Sequence, residues 1–279
     1  MIITGDNKLE ISNLRKDLSV RFEMKILGQI GYFLGLEVEK SDRGYFVSHK
    51  SCAESLLECF IIRESKEKAT PMELNLKLKK DEGEALKDVI KFRQLVGSLI
   101  YLTITRPTIS YFVGVVSQFM QNPTTSHLNV AKRILRYVKG SLSHGLWYKR
   151  CDTFLLSGFT DANCAGDTHD RRSTLGYCFS TGSTVVSWCS NVQIKCDNES
   201  AIKLVSNPVF HARTKHVEIR HHFVHEKVLS EEIELTTVRT NSQVVDIFTK
   251  ALEKSKFQYF RDALGVVHCE LALRGSVTN

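Results

Sequence analysis

Three aspartates stand where strand-like runs stop or a helical run begins. Asp161 follows Leu155–Phe159, Asp197 follows Val192–Cys196, and Asp246 lies in a helical stretch after a strand ending at Val238. Carboxylates that converge at the ends of neighbouring strands make an oxygen-rich site for a hard cation such as Mg²⁺. Two such ions activate water and stabilise the leaving oxygen in phosphodiester cleavage. The same residue type also serves as a helix cap, as Asp197-Asn198 ahead of a helix would, and spacing leaves both readings open.

A second chemistry is electrostatic. The chain of 279 residues carries 38 Lys and Arg against 31 Asp and Glu, a net charge of +7. Residues 89–150 hold nine basic and no acidic side chains, whereas 1–88 and 151–279 are each nearly balanced. A one-signed segment of this kind reads either as a surface for a polyanion or as a solvated helical region with a surplus. Arg93, Arg106, Lys132, Arg133, Arg136 and Lys139 are its candidate phosphate contacts. Five histidines between His211 and His225 include His221 and His225, spaced to share a metal on one helix face. No Cys pair or third ligand is clearly positioned beside them, and Arg213, Lys215, Arg220 and Lys227 point instead to a phosphate-facing helix.

These groups need elements to position them. Ile11, Leu14 and Leu18 mark one helix face, and Tyr32–Lys40 alternates into an Asp42-Arg43-Gly44 turn, a hairpin signature. Ser51–Phe60 is helical, and 63–88 reads as a mobile connector or exposed loop. Phe92–Thr105 predicts a helix stopped by Arg106-Pro107, Thr108–Met120 a second, and Thr125–Lys139 a third closed by Gly140. After residue 150 the period changes. Strands are expected at Phe154–Thr160, Leu175–Ser180, Val185–Ser190, Val192–Cys196 and Ile233–Val238. Helices are expected at Ser200–Ser206, His216–Leu229, Gln243–Lys250 and Lys254–Leu264. The class is α/β (α+β).

No run resembles a membrane span of about 20 apolar residues, and Met1–Thr4 lacks the features of a secretory signal, so an intracellular location is expected. The eight cysteines form no CxxC pair and read as reduced thiols. Whether the nucleus or the cytoplasm holds the chain is not written in it.

The string GFTDANCAGDTHDRRSTLGYCFSTGSTVVSWCS (158–190) resembles the start of the ribonuclease H domain of copia-type retrotransposon polyproteins. CDNESAIKLVSNPVFHARTKHVEIRHHFVHEKV (196–228) and QVVDIFTKAL (243–252) resemble its later parts. MIITGDN (1–7), YFLGLEVEKSDRGYFVSHKSCAESLLECF (32–60) and the run from Arg93 to Ser141 are similar to the C-terminal part of the family's reverse transcriptase region. The resemblance implies four segments. Residues 1–88 would be a remnant of the reverse transcriptase palm and thumb, and 89–150 a basic helical connection. Residues 151–265 would be a ribonuclease H-like mixed sheet with flanking helices, lacking its first helix, and 266–279 a tail. The activity implied is Mg²⁺-dependent cleavage of the RNA strand of an RNA–DNA hybrid. Its catalytic and metal-binding positions match Asp161, Asp197 and Asp246. The hybrid, or another nucleic acid, is the implied partner.

Two departures qualify that expectation. The family's Tyr-Val-Asp-Asp polymerase motif lies immediately before the position matching Met1, so DNA synthesis by this chain alone is not expected. The family also carries a segment with a catalytic Glu and a long helix between the positions matching Ser190 and Asn191, which are adjacent here. No acidic residue occurs between Asp170 and Asp197 to replace that Glu. The family's crossover spans about 25 Å, at least about seven extended residues. Without it, Val185–Cys196 must run as one continuous strand or reverse in a tight turn, and the site is expected to be inactive.

Overall fold

The computed structural model describes residues 3, 5, 7–23, 28, 30–80, 82–151, 155–163, 173–194, 238 and 240–270. Asp197, Arg213, Lys215, the histidine cluster and the elements expected at 200–206, 216–229 and 233–237 lie outside them.

Alternating residues at 32–48 form β1 (Tyr32–Phe33), β2 (Leu36–Ser41) and β3 (Gly44–Ser48), with Ser41 opposite Gly44 across the tight turn. The sheet then continues through two strands that periodicity does not mark, β4 (His144–Lys149) and β8 (Val266–His268). Its order is β1-β2-β3-β4-β8. β4 is an internal strand between β3 and β8, with Gly145, Leu146 and Trp147 buried, so it lacks the alternation of a half-exposed strand. The segment expected to be a tail therefore begins inside a sheet. Gly265, at φ +76°, reverses the chain into it, a conformation that costs glycine nothing.

The helices follow their apolar spacing. They are α1 (Lys8–Arg21), α2 (Lys50–Cys59), α3 (Val89–Leu102), α4 (Ser110–Ser117) and α5 (Thr125–Lys139). Asn7 caps α1 by accepting from the Leu9 and Glu10 amides, yet α1 buries no residue. The expected 108–120 helix is divided into a 3-10 turn at Pro107–Ile109 and α4. α5 has the bounds its pattern predicts and is closed by a box in which the Thr124 amide donates to His127 Nδ1 at 3.0 Å. None of the described helices is long and apolar enough to cross a membrane.

The connector at 63–88 has no helix or strand among its described residues, but it is not loose. It runs as a strap along α5, with Ile62 and Met72 buried beneath it. The Lys68 amide donates to the Arg136 carbonyl at 3.3 Å, Lys139 Nζ to the Ser65 carbonyl at 2.9 Å, and the Thr125 amide to the Glu84 carbonyl at 2.8 Å. Lys- and Glu-rich composition signals solubility and not freedom, because backbone groups still find partners on a neighbouring helix.

A second, three-stranded sheet holds β5 (Leu156–Asn163), β6 (Ser173–Thr181) and β7 (Val185–Ile194) in sequential antiparallel order. β7 passes through Ser190–Asn191 without a break, so the continuous-strand alternative is the one adopted. Gly176 pairs with Ser190 and Leu175 with Val192, leaving Asn191 as the extra residue of a β-bulge at the junction itself. The expected helix at 243–250 is a 3-10 helix, Val244–Phe248, and α6 (Lys254–Ala263) follows. One core joins α2–α5 to β6, β7, the 3-10 helix and α6, with Tyr137 of α5 edge-on to Phe257 of α6 at 5.5 Å. The basic helices are thus packed into the same core as this second sheet.

Candidate functional site

Asp161 of β5 lies opposite Gly176 of β6, which lies opposite Ser190 of β7. The Gln243–Lys250 segment rests across this point. Gln243 Nε2 donates to the Thr160 carbonyl at 3.1 Å, and Ser190 Oγ to the Phe248 carbonyl at 3.0 Å. Gly176 is where the two layers touch. A Cβ there would come within 2.8 Å of Thr249 Cγ2, 2.9 Å of Val245 Cγ1 and 3.1 Å of Phe248 Cβ. Glycine inside a strand is a signal of such close approach.

This docking brings two of the three expected aspartates to one place. Thr249 Oγ1 donates to Asp161 Oδ2 at 2.7 Å and lies 3.3 Å from the Asp246 carbonyl oxygen. The hydroxyl therefore ties Asp161 to the turn that carries Asp246. Asp246 itself is 1% exposed. Its Oδ1 is 2.8 Å from Lys250 Nζ and its Oδ2 is 2.8 Å from Lys256 Nζ. A carboxylate removed from water to this degree is sustained only by paired charges of this kind.

The chemistry of this donor set can be compared with Mg²⁺. The ion demands near-octahedral oxygen ligands and keeps several of its waters. Each Asp246 oxygen already faces an ammonium, and one Asp161 oxygen is held by Thr249. Among the described residues no group of three or more His, Cys, Asp or Glu side chains is placed to hold a metal ion. As arranged, the described residues do not fit a divalent ion. Thr249, Lys250 and Lys256 are the site residues that spacing did not mark. Lys250 carries a local signal, four positions beyond Asp246. Lys256 carries none.

The candidate phosphate contacts are dispersed. Arg106 is not on the surface: it is 1% exposed, and its Nη2 donates to the Ser141 and Leu142 carbonyls at 3.2 and 3.1 Å. Burial lowers its pKa to about 10. It joins the α3–α4 turn to the α5–β4 turn, so its expected role in phosphate contact is corrected to a structural one. Arg133 pairs with Glu73 at 2.6 Å, and Lys139 is held by the strap. Arg93 Nε donates to the Met120 carbonyl at 2.8 Å. Arg93, Lys132 and Arg136 have no carboxylate partner among the described residues.

Residues 1–74 match the family described as reverse transcriptase (RNA-dependent DNA polymerase). The chain is 35% identical to the retrovirus-related Pol polyprotein from transposon RE1 of Arabidopsis thaliana, over 95% of this chain and 21% of that protein. It is 32% identical to the polyprotein from transposon TNT 1-94 of Nicotiana tabacum, over 95% of this chain and 24% of that one. An uncharacterised mitochondrial protein of Arabidopsis thaliana is 37% identical over 69% of this chain and 80% of its own length. No solved structure matches. The two polyprotein alignments extend over 307 and 317 residues, more than the 279 of the whole chain, so they include positions that this chain lacks. The chain spans about a fifth of the length of the transposon polyproteins it matches. With reverse transcriptase sequence at residues 1–74 and polyprotein similarity along nearly all of its length, the chain belongs to the Pol polyprotein family of copia-type retrotransposons, as a fragment.

Proposed function

We propose that the chain descends from the reverse transcriptase and ribonuclease H part of such a polyprotein, whose activity is Mg²⁺-dependent hydrolysis of RNA in RNA–DNA hybrids, and that it does not itself carry out that hydrolysis. The observation that supports this reading is β7. It passes from Ser190 to Asn191 with one bulged residue, where the family resemblance calls for a crossover helix and a catalytic Glu. Losing one preorganised catalytic group typically costs roughly 10²–10³ in rate. Here the closure of Asp246 by two lysines adds to that loss. Incubation of the purified chain with a hybrid bearing end-labelled RNA, with Mg²⁺, is expected to leave the RNA intact. Asp161→Asn is expected to behave identically. Mg²⁺-dependent cleavage abolished by Asp161→Asn overturns the proposal.

A second reading is non-catalytic binding of nucleic acid through residues 89–150. It is favoured by the absence of any carboxylate in that segment and by Arg93, Lys132 and Arg136, which lack carboxylate partners among the described residues. Hybrid binding measured by anisotropy should then be weak and salt-dependent. Three contacts give a slope of log K against log salt of about −2 to −3, at roughly 0.9 per phosphate. No binding at low salt sinks this reading.

A further inference from the structure

We propose that Lys250 and Lys256 are built-in counter-ions of Asp246, which hold the 3-10 segment to α6 without a metal and keep divalent ions from this carboxylate. The inference rests on the reading of the chain as a non-hydrolysing descendant and assigns roles to two residues which that reading does not use.

The geometry carries it. The two carboxylate oxygens take one ammonium each at 2.8 Å, so the pair of lysines neutralises the carboxylate from both sides. Lys250 reaches Asp246 from four residues along the same stretch, whereas Lys256 reaches it from α6. The second contact therefore clamps two separate elements together. Lys256 Nζ also lies 5.2 Å over the Phe260 ring, which favours its charge at that position. The lysine side chains are 39% and 29% exposed, while the carboxylate side chain is 2% exposed. The ammoniums thus lie between Asp246 and solvent, where an arriving cation would meet two like charges. Mg²⁺ also dehydrates reluctantly, which weighs against its entry to a carboxylate already stripped of water.

The test is thermal unfolding of the full chain in EDTA and in about 10 mM MgCl₂, where binding to the folded state alone raises Tm. Wild type is expected to show no Mg²⁺ response. Lys256→Met is expected to lower Tm in EDTA and to regain part of it with Mg²⁺. Asp246→Asn in the Lys256→Met background is expected to recover Tm in EDTA and to lose the metal response, because the buried carboxylate left with Lys250 alone is gone. If Lys256→Met does not fold, recovery of folding by the added Asp246→Asn supports the assignment, and continued failure overturns it. A Mg²⁺-dependent rise in wild-type Tm overturns it, as does a folded Lys256→Met chain indifferent to Mg²⁺. Hybrid cleavage by wild type would count against the absence of hydrolysis, whereas the lysine assignment is decided by Tm alone.

Discussion

Gly176→Ala should destabilise the chain by about 1–3 kcal/mol, the usual range for overpacking a filled site. At about 2–4 °C per kcal/mol for a chain of this size, Tm falls by roughly 2–12 °C. The cause is local and specific. The added methyl would meet Thr249, Val245 and Phe248 at 2.8–3.1 Å, and none of the three is the far end of a long flexible side chain. The segment they belong to is held by Gln243 on the Thr160 carbonyl and Ser190 on the Phe248 carbonyl, so it must lift before the methyl fits. Lifting it separates Thr249 from Asp161. Amide exchange should therefore accelerate first at Asp246, Thr249 and Lys250, whose amides bond within that turn. Gly97→Ala is the control. Nothing lies within 4 Å of a Cβ at this position in α3, so the exchange should raise stability by about 0.5–1 kcal/mol. If Gly176→Ala unfolds at the wild-type temperature, the close packing of the 3-10 segment on β6 is wrong.

Acid should begin to destabilise the protein above the pH at which its carboxylates protonate. Three histidines have pKa values below the ordinary imidazole value of 6.5. For His49 the main cause is burial, followed by the Arg106 cation. For His127 it is burial. For His144 burial, then Arg261, His268 and Arg106, bring the value to about 4. Their contacts suit neutral rings. His127 Nδ1 accepts the Thr124 amide while Nε2 faces the Lys79 carbonyl at 3.1 Å, and His49 Nδ1 lies 3.0 Å from Thr105 Oγ1. Between the ordinary value and the lowered one, the unfolded chain binds protons that the folded chain does not. Stability is therefore full above about pH 6.5 and is lost as pH falls toward about 4. The part due to His144 is on the order of 1 kcal/mol once discounted for the part of the ring that meets solvent. Tm measured from pH 8 to pH 4 should decline most steeply in that window. His144→Gln should flatten the decline while changing Tm little at pH 8. An equally steep decline in His144→Gln removes this histidine from the explanation.

Both predictions turn on contacts between residues far apart in the chain, and that separates what local pattern conveys from what it does not. The hairpin at 32–48 and the bounds of α5 were legible because periods of two and about three and a half record which face of one element is buried. β4 was not legible, because a strand buried on both faces has no alternation to show. β8 was not, because three residues are too few for a period. The basic composition of 89–150 was plain, but its use as a surface was not. Net charge says nothing about whether an arginine turns outward, as Arg106 demonstrates by satisfying carbonyls inside the core.

The candidate site divides in the same way. By itself the sequence determined the family, the adjacency of Ser190 and Asn191, the absence of a carboxylate between Asp170 and Asp197, and the choice of Asp161 and Asp246 as residues to watch. Only the tertiary structure decided that β7 absorbs the junction as a bulge. It alone decided that Thr249 ties Asp161 to the Asp246 turn and that Lys256 closes the carboxylate from another helix. The physical reason is that a side chain's charge and hydrogen-bonding capacity are local properties, whereas its partner is chosen by packing. Gly176, with no side chain of its own, leaves the room in which that packing brings the two aspartates together.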